Sequence, residues 1–157
     1  MRNRRRTRYE RELIKVLKEA LGSEWFGHRG AHSDGVDVLM FKSLDVSPIM
    51  FCGIRFEVKS KNEPFPFYPN EREREQLQSY QDVFTDFGVE TVYAFRKVGG
   101  KGEKWSFCPI SCFSNSKTGN LCVRQEDAIP LHTFITTIED ICANWQDIKV
   151  WRNTLIQ

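Results

Sequence analysis

No apolar run in this sequence approaches the ~20 residues that a bilayer-spanning helix needs, so a helical membrane protein is excluded. The basic start has no apolar stretch behind it, and a secretory signal is not expected. The five cysteines are odd in number, which argues against a disulfide framework and for reduced thiols in a cytoplasm. No unit of 20 to 50 residues recurs, so solenoids and propellers are excluded. Excess charge is nearly absent too: 23 Lys and Arg oppose 21 Asp and Glu, for a net charge of +2. That balance hides an asymmetry, because Arg2, Arg4, Arg5, Arg6 and Arg8 crowd the first eight residues. What the sequence does have is 157 residues, 40% of them apolar and 13% aromatic, enough for one domain with a packed core.

Periodicity predicts the elements. Tyr9, Leu13, Val16, Leu17, Ala20 and Leu21 recur at helical spacing, with Thr7 and Glu10 matching a capping box and Gly22 as a stop. Strands are predicted at 25–29, 36–41 and 51–60. A loop rich in proline and aromatics follows at 64–69, then a helix over 71–87. The remainder reads as a hairpin of strands 89–97 and 104–110, and a helix starting near Thr137. The order predicts an α/β (α+β) domain with a central mixed β-sheet flanked by helices. The chain divides into a basic arm (1–6), a core (7–110) and a C-terminal extension (111–157) packed on the same domain.

Asp37 interrupts an apolar strand. Glu57 and Lys59 lie two apart in the next strand and so share a face. If the two strands pair, both carboxylates converge. Two carboxylates with water and phosphate oxygens suit Mg²⁺, and a lysine beside them can orient water or stabilise an oxyanion. Glu-x-Lys alone is common on half-exposed strands; Asp37 upstream is what raises it above that background.

Gly35-Val36-Asp37-Val38 with Phe56-Glu57-Val58-Lys59 resembles the metal-binding core of the PD-(D/E)xK nucleases, with Val36 in place of the proline. The run Glu10-Arg11-Glu12-Leu13-Ile14-Lys15 is similar to the start of the first helix of archaeal Holliday junction resolvases. Arg29 and Ser33 stand where that family has an arginine and a serine. The resemblance covers residues 7 to 108. It implies the restriction-endonuclease-like fold and a metal-dependent DNA endonuclease, most closely a four-way junction resolvase. It implies that Asp37, Glu57 and the Val58 carbonyl hold Mg²⁺ (or Mn²⁺), with Glu10 completing the site and Lys59 positioning water. Arg11, Arg29 and Ser33 would grip phosphates. The implied assembly is a homodimer on branched DNA, in an archaeal cell or a virus-infected host cell. Repair, restriction or viral nucleases on duplex, flap or linear DNA are alternatives, as is a non-catalytic DNA-binding module.

The charge run Arg4, Arg5, Arg6 and Arg8 is either a solvated tail or an arm for phosphates, and Lys61 would extend the positive surface. His28 and His32 are weaker candidates for a general base. Cys108, Cys112, Cys122, His132 and Cys142 lack the regular spacing of a zinc site. The aromatics at 64–69 would stack bases or pack a partner, and Tyr80 reads as core. Ile138, Ile141, Trp145, Ile148 and Trp151 would form a dimer patch or cover the sheet.

Overall fold

Residues Arg2–Leu21 form α1. In this computed structural model, residues 2–30, 36–43, 51–87 and 91–143 are described, with side chains for 7–30, 36–42, 53–82 and 91–140. The predicted start of α1 at Thr7 is corrected: the helix already runs from Arg2, so Thr7 and Glu10 are interior helical residues and form no cap. Arginine is among the better helix formers, and neither Gly nor Pro interrupts 2–21, so the basic run continues the helix. Gly22 ends it at a positive φ of 109°, its N–H bonding back to the Lys18 carbonyl at 3.0 Å.

The main sheet has six strands in the order β1-β2-β3-β4-β5-β8. These are Trp25–Arg29, Val38–Ser43, Phe51–Lys61, Thr91–Lys97, Trp105–Pro109 and Ile129–Pro130. Only β3 and β4 are parallel; all other pairs are antiparallel, so the sheet is mixed as expected. The parallel step is made by α2, Glu71–Phe87, which crosses one face. On the other face lie α1 and α3, Leu131–Ala143. A separate two-stranded ribbon pairs β6, Ser114–Asn115, with β7, Leu121–Cys122.

Side-chain alternation gives the sheet two cores. Phe56, Val58, Val92, Ala94 and Phe107 pack with Leu13 and Leu17 of α1 and Phe134, Ile135 and Ile138 of α3. Gly27 lets α1 approach β1: a Cβ there would lie 2.4 Å from Ile14 Cγ2. On the opposite face Tyr93, Phe95 and Cys108 pack with Leu77 and Tyr80 of α2. Phe65 and Phe67 of the proline-rich loop belong to this second core, with ring centroids 4.9 and 5.3 Å from Phe95. Reciprocal backbone bonds between Phe67 and Val123 fasten that loop. Of its aromatics, Tyr68 alone is exposed.

Candidate active site

The β1–β2 hairpin closes beside Asp37. The Gly30 N–H donates to the Asp37 carbonyl at 2.9 Å, and a Cβ on Gly30 would sit 1.9 Å from the Val36 carbonyl oxygen. A glycine is therefore what the chain needs there. The strand predicted from Val36 begins at Val38, so Asp37 stands just outside the ladder. Val38 faces Phe56 in the antiparallel register, which brings Asp37 to Glu57 and Val58. The Val58 N–H, left without a strand partner, donates to Asp37 Oδ2 at 2.8 Å. In a strand the N–H and C=O of one residue face the same neighbour, so the Val58 carbonyl also looks to the side where β2 has ended. Asp37 and Glu57 are both buried.

Glu57, Lys59 and Lys61 project to the α2 face, as alternation requires. Lys59 Nζ lies 3.6 Å from Glu57 Oε1 and donates to Glu73 Oε1 at 2.6 Å. Glu73 comes from the first turn of α2. The Tyr80 hydroxyl, two helical turns further along α2, donates to Glu57 Oε2 at 3.2 Å. Tyr80 is thus more than the core aromatic expected: its ring packs and its hydroxyl holds a site carboxylate. Burial, then the charge and hydrogen bond of Glu57, pushes its phenol above the ordinary range, so it stays a donor. Tyr93, opposite Glu57 on β4, is raised by burial and by the same carboxylate. Its hydroxyl is buried without a hydrogen-bond partner among the described residues.

Glu10, buried on α1, accepts from Arg29 Nε at 2.7 Å, while Arg29 Nη2 donates to Thr7 Oγ1 at 3.3 Å. Arg29 faces Val38, the neighbour of Asp37. One arginine therefore ties α1 to the end of the hairpin that carries Asp37. Arg8 and Arg11 are exposed on α1, and Lys61 is exposed with its Nζ 5.9 Å from the Phe67 ring centroid. The side chains of Arg4, Arg5 and Arg6, and all of Ser33 and His32, lie outside the described residues.

Among the described residues no group of three His, Cys, Asp or Glu could hold a metal. Cys108 and Cys122 are buried and Cys112 exposed, which gives the zinc reading no support. Two carboxylates and a peptide carbonyl are all-oxygen donors. They fit a hard cation that keeps several waters and takes the rest of its shell from a phosphate. Sequence reasoning missed Glu73, although Asn70-x-x-Glu73 before an apolar periodic run is a capping-box signature. The box is formed here: the Glu73 N–H donates to Asn70 Oδ1 and the Asn70 N–H to Glu73 Oε2, each at 2.9 Å.

The family model of archaeal Holliday junction resolvases (Hjc) matches residues 1–142. The match contains Glu10, Asp37, Glu57, Lys59, Glu73 and Tyr80 and continues well past residue 110. The fold is similar to that of Hjc from the archaeal hyperthermophile Archaeoglobus fulgidus, a Holliday junction resolvase. The TM-score is 0.56 at 21% identity, covering 82% of this chain and 98% of that one. No curated protein matches. The structural likeness speaks for the fold, and the family match spans nearly the whole sequence: the chain belongs to the archaeal Holliday junction resolvase family and is an endonuclease of that class.

Proposed function

We propose that this endonuclease cuts four-way DNA with Mg²⁺ held by Asp37, Glu57 and the Val58 carbonyl, and that Glu10 completes the site directly or through water. Nucleases of this family depend on a divalent metal; Mg²⁺, with Mn²⁺ able to substitute, is the ion that an oxygen-only donor set of two carboxylates favours. When bound, the ion polarises the scissile phosphate and neutralises charge that develops on its oxygens.

The chain's own residues do the rest. Tyr80 fixes one oxygen of Glu57, leaving the other to face Lys59. The Lys59 ammonium holds the attacking water by one N–H and stabilises the phosphorane oxygen as the water oxygen bonds to phosphorus. The water's proton passes to solvent, and the departing deoxyribose oxygen takes a proton back from solvent water as its bond to phosphorus breaks. Arg11, Arg29, Ser33, Lys61 and the arginines at 4, 5, 6 and 8 supply phosphate contacts, which position DNA without reading its sequence. Two copies related by a two-fold axis address two opposed strands.

The observation that carries this reading is the pinch at Val58: Asp37 grips its N–H while Glu57 precedes it in the strand. Asp37→Asn and Glu57→Gln should each lower junction nicking in Mg²⁺ by about 10² or more, since metal assistance contributes several kcal/mol at a tenfold per 1.36 kcal/mol. Junction binding in EDTA should persist in both. Either variant nicking at the wild-type rate would sink the assignment.

A further inference from the structure

We propose that Glu73 is the positioning residue of the active-site lysine: it holds the Lys59 ammonium at the mouth of the site and keeps it from closing onto Glu57. This rests on the reading that Lys59 serves the hydrolysis. Four methylenes and three rotatable donors give a lysine little inherent direction. Lys59 Nζ nevertheless has one short bond, 2.6 Å to Glu73 Oε1, and a longer approach of 3.6 Å to Glu57 Oε1. Below it lies the face of Tyr93, 5.9 Å from the ring centroid. Glu73 therefore wins the competition for the ammonium.

Glu73 can do so because each of its oxygens has one task. Oε2 accepts the Asn70 N–H in the capping box, and Oε1 accepts from Lys59. The cap fixes the carboxylate to the rigid first turn of α2. Burial alone would raise its proton affinity. The Lys59 hydrogen bond, the Asn70 N–H and the charges of Lys59 and Lys61 outweigh that and hold it below the usual carboxylate range. Glu73 thus stays an anion, directed at one point by the backbone of α2.

The consequence is electrostatic as well as geometric. Were Glu73 neutral, Glu57 would be the remaining anion within reach of the ammonium. Lys59 would fold down onto it, removing charge from a carboxylate that has to face a cation and removing itself from the water. The same helix supplies Tyr80 to the other oxygen of Glu57, so α2 sets the lysine and the carboxylate together.

The test uses the full chain, a four-way junction and Mg²⁺. Glutamine at the third helical position still completes a capping box, so Glu73→Gln loses only the charge-assisted bond to Lys59; it should melt no more than several degrees below wild type, stay folded at the assay temperature and bind the junction with unchanged affinity. Its single-turnover nicking rate should fall about tenfold or more, since displacing a reacting group by an ångström can cost as much as about a hundredfold. In a Lys59→Met background the same substitution should change the residual rate less than twofold. Where Lys59→Met nicks below detection, the split between rate and affinity in Glu73→Gln suffices by itself. A wild-type rate in Glu73→Gln, an equal fold-loss in both backgrounds, or a rate loss accounted for by unfolding or lost junction binding at the assay temperature would overturn the proposal. Asp37→Asn, run beside it, separates the outcomes: if Asp37→Asn is active, the metal-site reading fails, whereas an inactive Asp37→Asn with a fully active Glu73→Gln removes only the role of Glu73.

Discussion

Arg29 joins two elements through a single guanidinium, and its two partners are the residues that a local reading of α1 pairs with each other. Thr7 and Glu10 satisfy the spacing of a capping box, yet the helix passes through both, and their side chains turn to β1 instead. Local pattern could not reveal this, because the arginine that claims them is 19 residues away from Glu10. A role for Glu10 in the site is suggested by the resemblance to a family, not by any local pattern. Removing the guanidinium should be felt by the buried carboxylate. Arg29→Met deletes a 2.7 Å charge-assisted bond to Glu10. A hydrogen bond to a charged group contributes roughly 1.5–3 kcal/mol, and the one-third exposure of Arg29 places the loss at the lower end. A urea midpoint that does not move would show the tie to be energetically idle. The juxtaposition of Glu57 and Lys59 was legible from alternation, and that of Asp37 only on the condition that β2 and β3 pair, which they do. Tyr80 was not, because an aromatic at helical spacing looks the same whether or not its hydroxyl has a task.

Elements were legible where their signals are local. Helix α2 runs over the predicted 71–87, since Asn70 caps it and its apolar spacing is regular. Helix α3 starts at Leu131 rather than near Thr137 because its first N–H bonds to Glu103 Oε1, a cap brought from 28 residues away. The ladders β6, β7 and β8 are two residues each, too short for a period of two to show. Helix α1 carries its own tension. Its first turn has no acidic residue and is crowded with arginines, the wrong sign for the positive end of a helix dipole. Phosphate would reverse that penalty. Deleting residues 1–6 should therefore cost little melting temperature without DNA. With DNA it should weaken binding to all sequences alike and flatten the log–log salt dependence by about 0.9 for each phosphate no longer neutralised. An unchanged slope would mean that these arginines meet no phosphate.

At the scale of the molecule, the sheet divides labour between its faces. Both faces pack a core, one under α1 and α3 and the other under α2, but the α2 face also carries Glu57, Lys59 and Tyr80. Ile138, offered by sequence as part of a dimer patch, is buried in the first core and unavailable to a partner; the side chains of Ile141, Trp145, Ile148 and Trp151 lie outside the described residues. Phe26, 55% exposed and stacked on Phe41 at 5.7 Å, is an apolar surface left on the outer strand. One chain carries one Asp37–Glu57 site, whereas resolving a four-way junction requires cuts in two opposed strands. Two-fold symmetric chains provide both with one self-complementary patch. The chain should therefore run as a dimer in light scattering, and end-labelled junctions should show paired, symmetric nicks with weaker cutting of linear duplex. Mixing wild type with excess Asp37→Asn sharpens the test: mixed dimers should leave junctions nicked on one strand, so singly cut product should accumulate. A monomer that cuts linear duplex as readily as junctions would defeat the two-fold arrangement while leaving the metal site to stand on its own evidence.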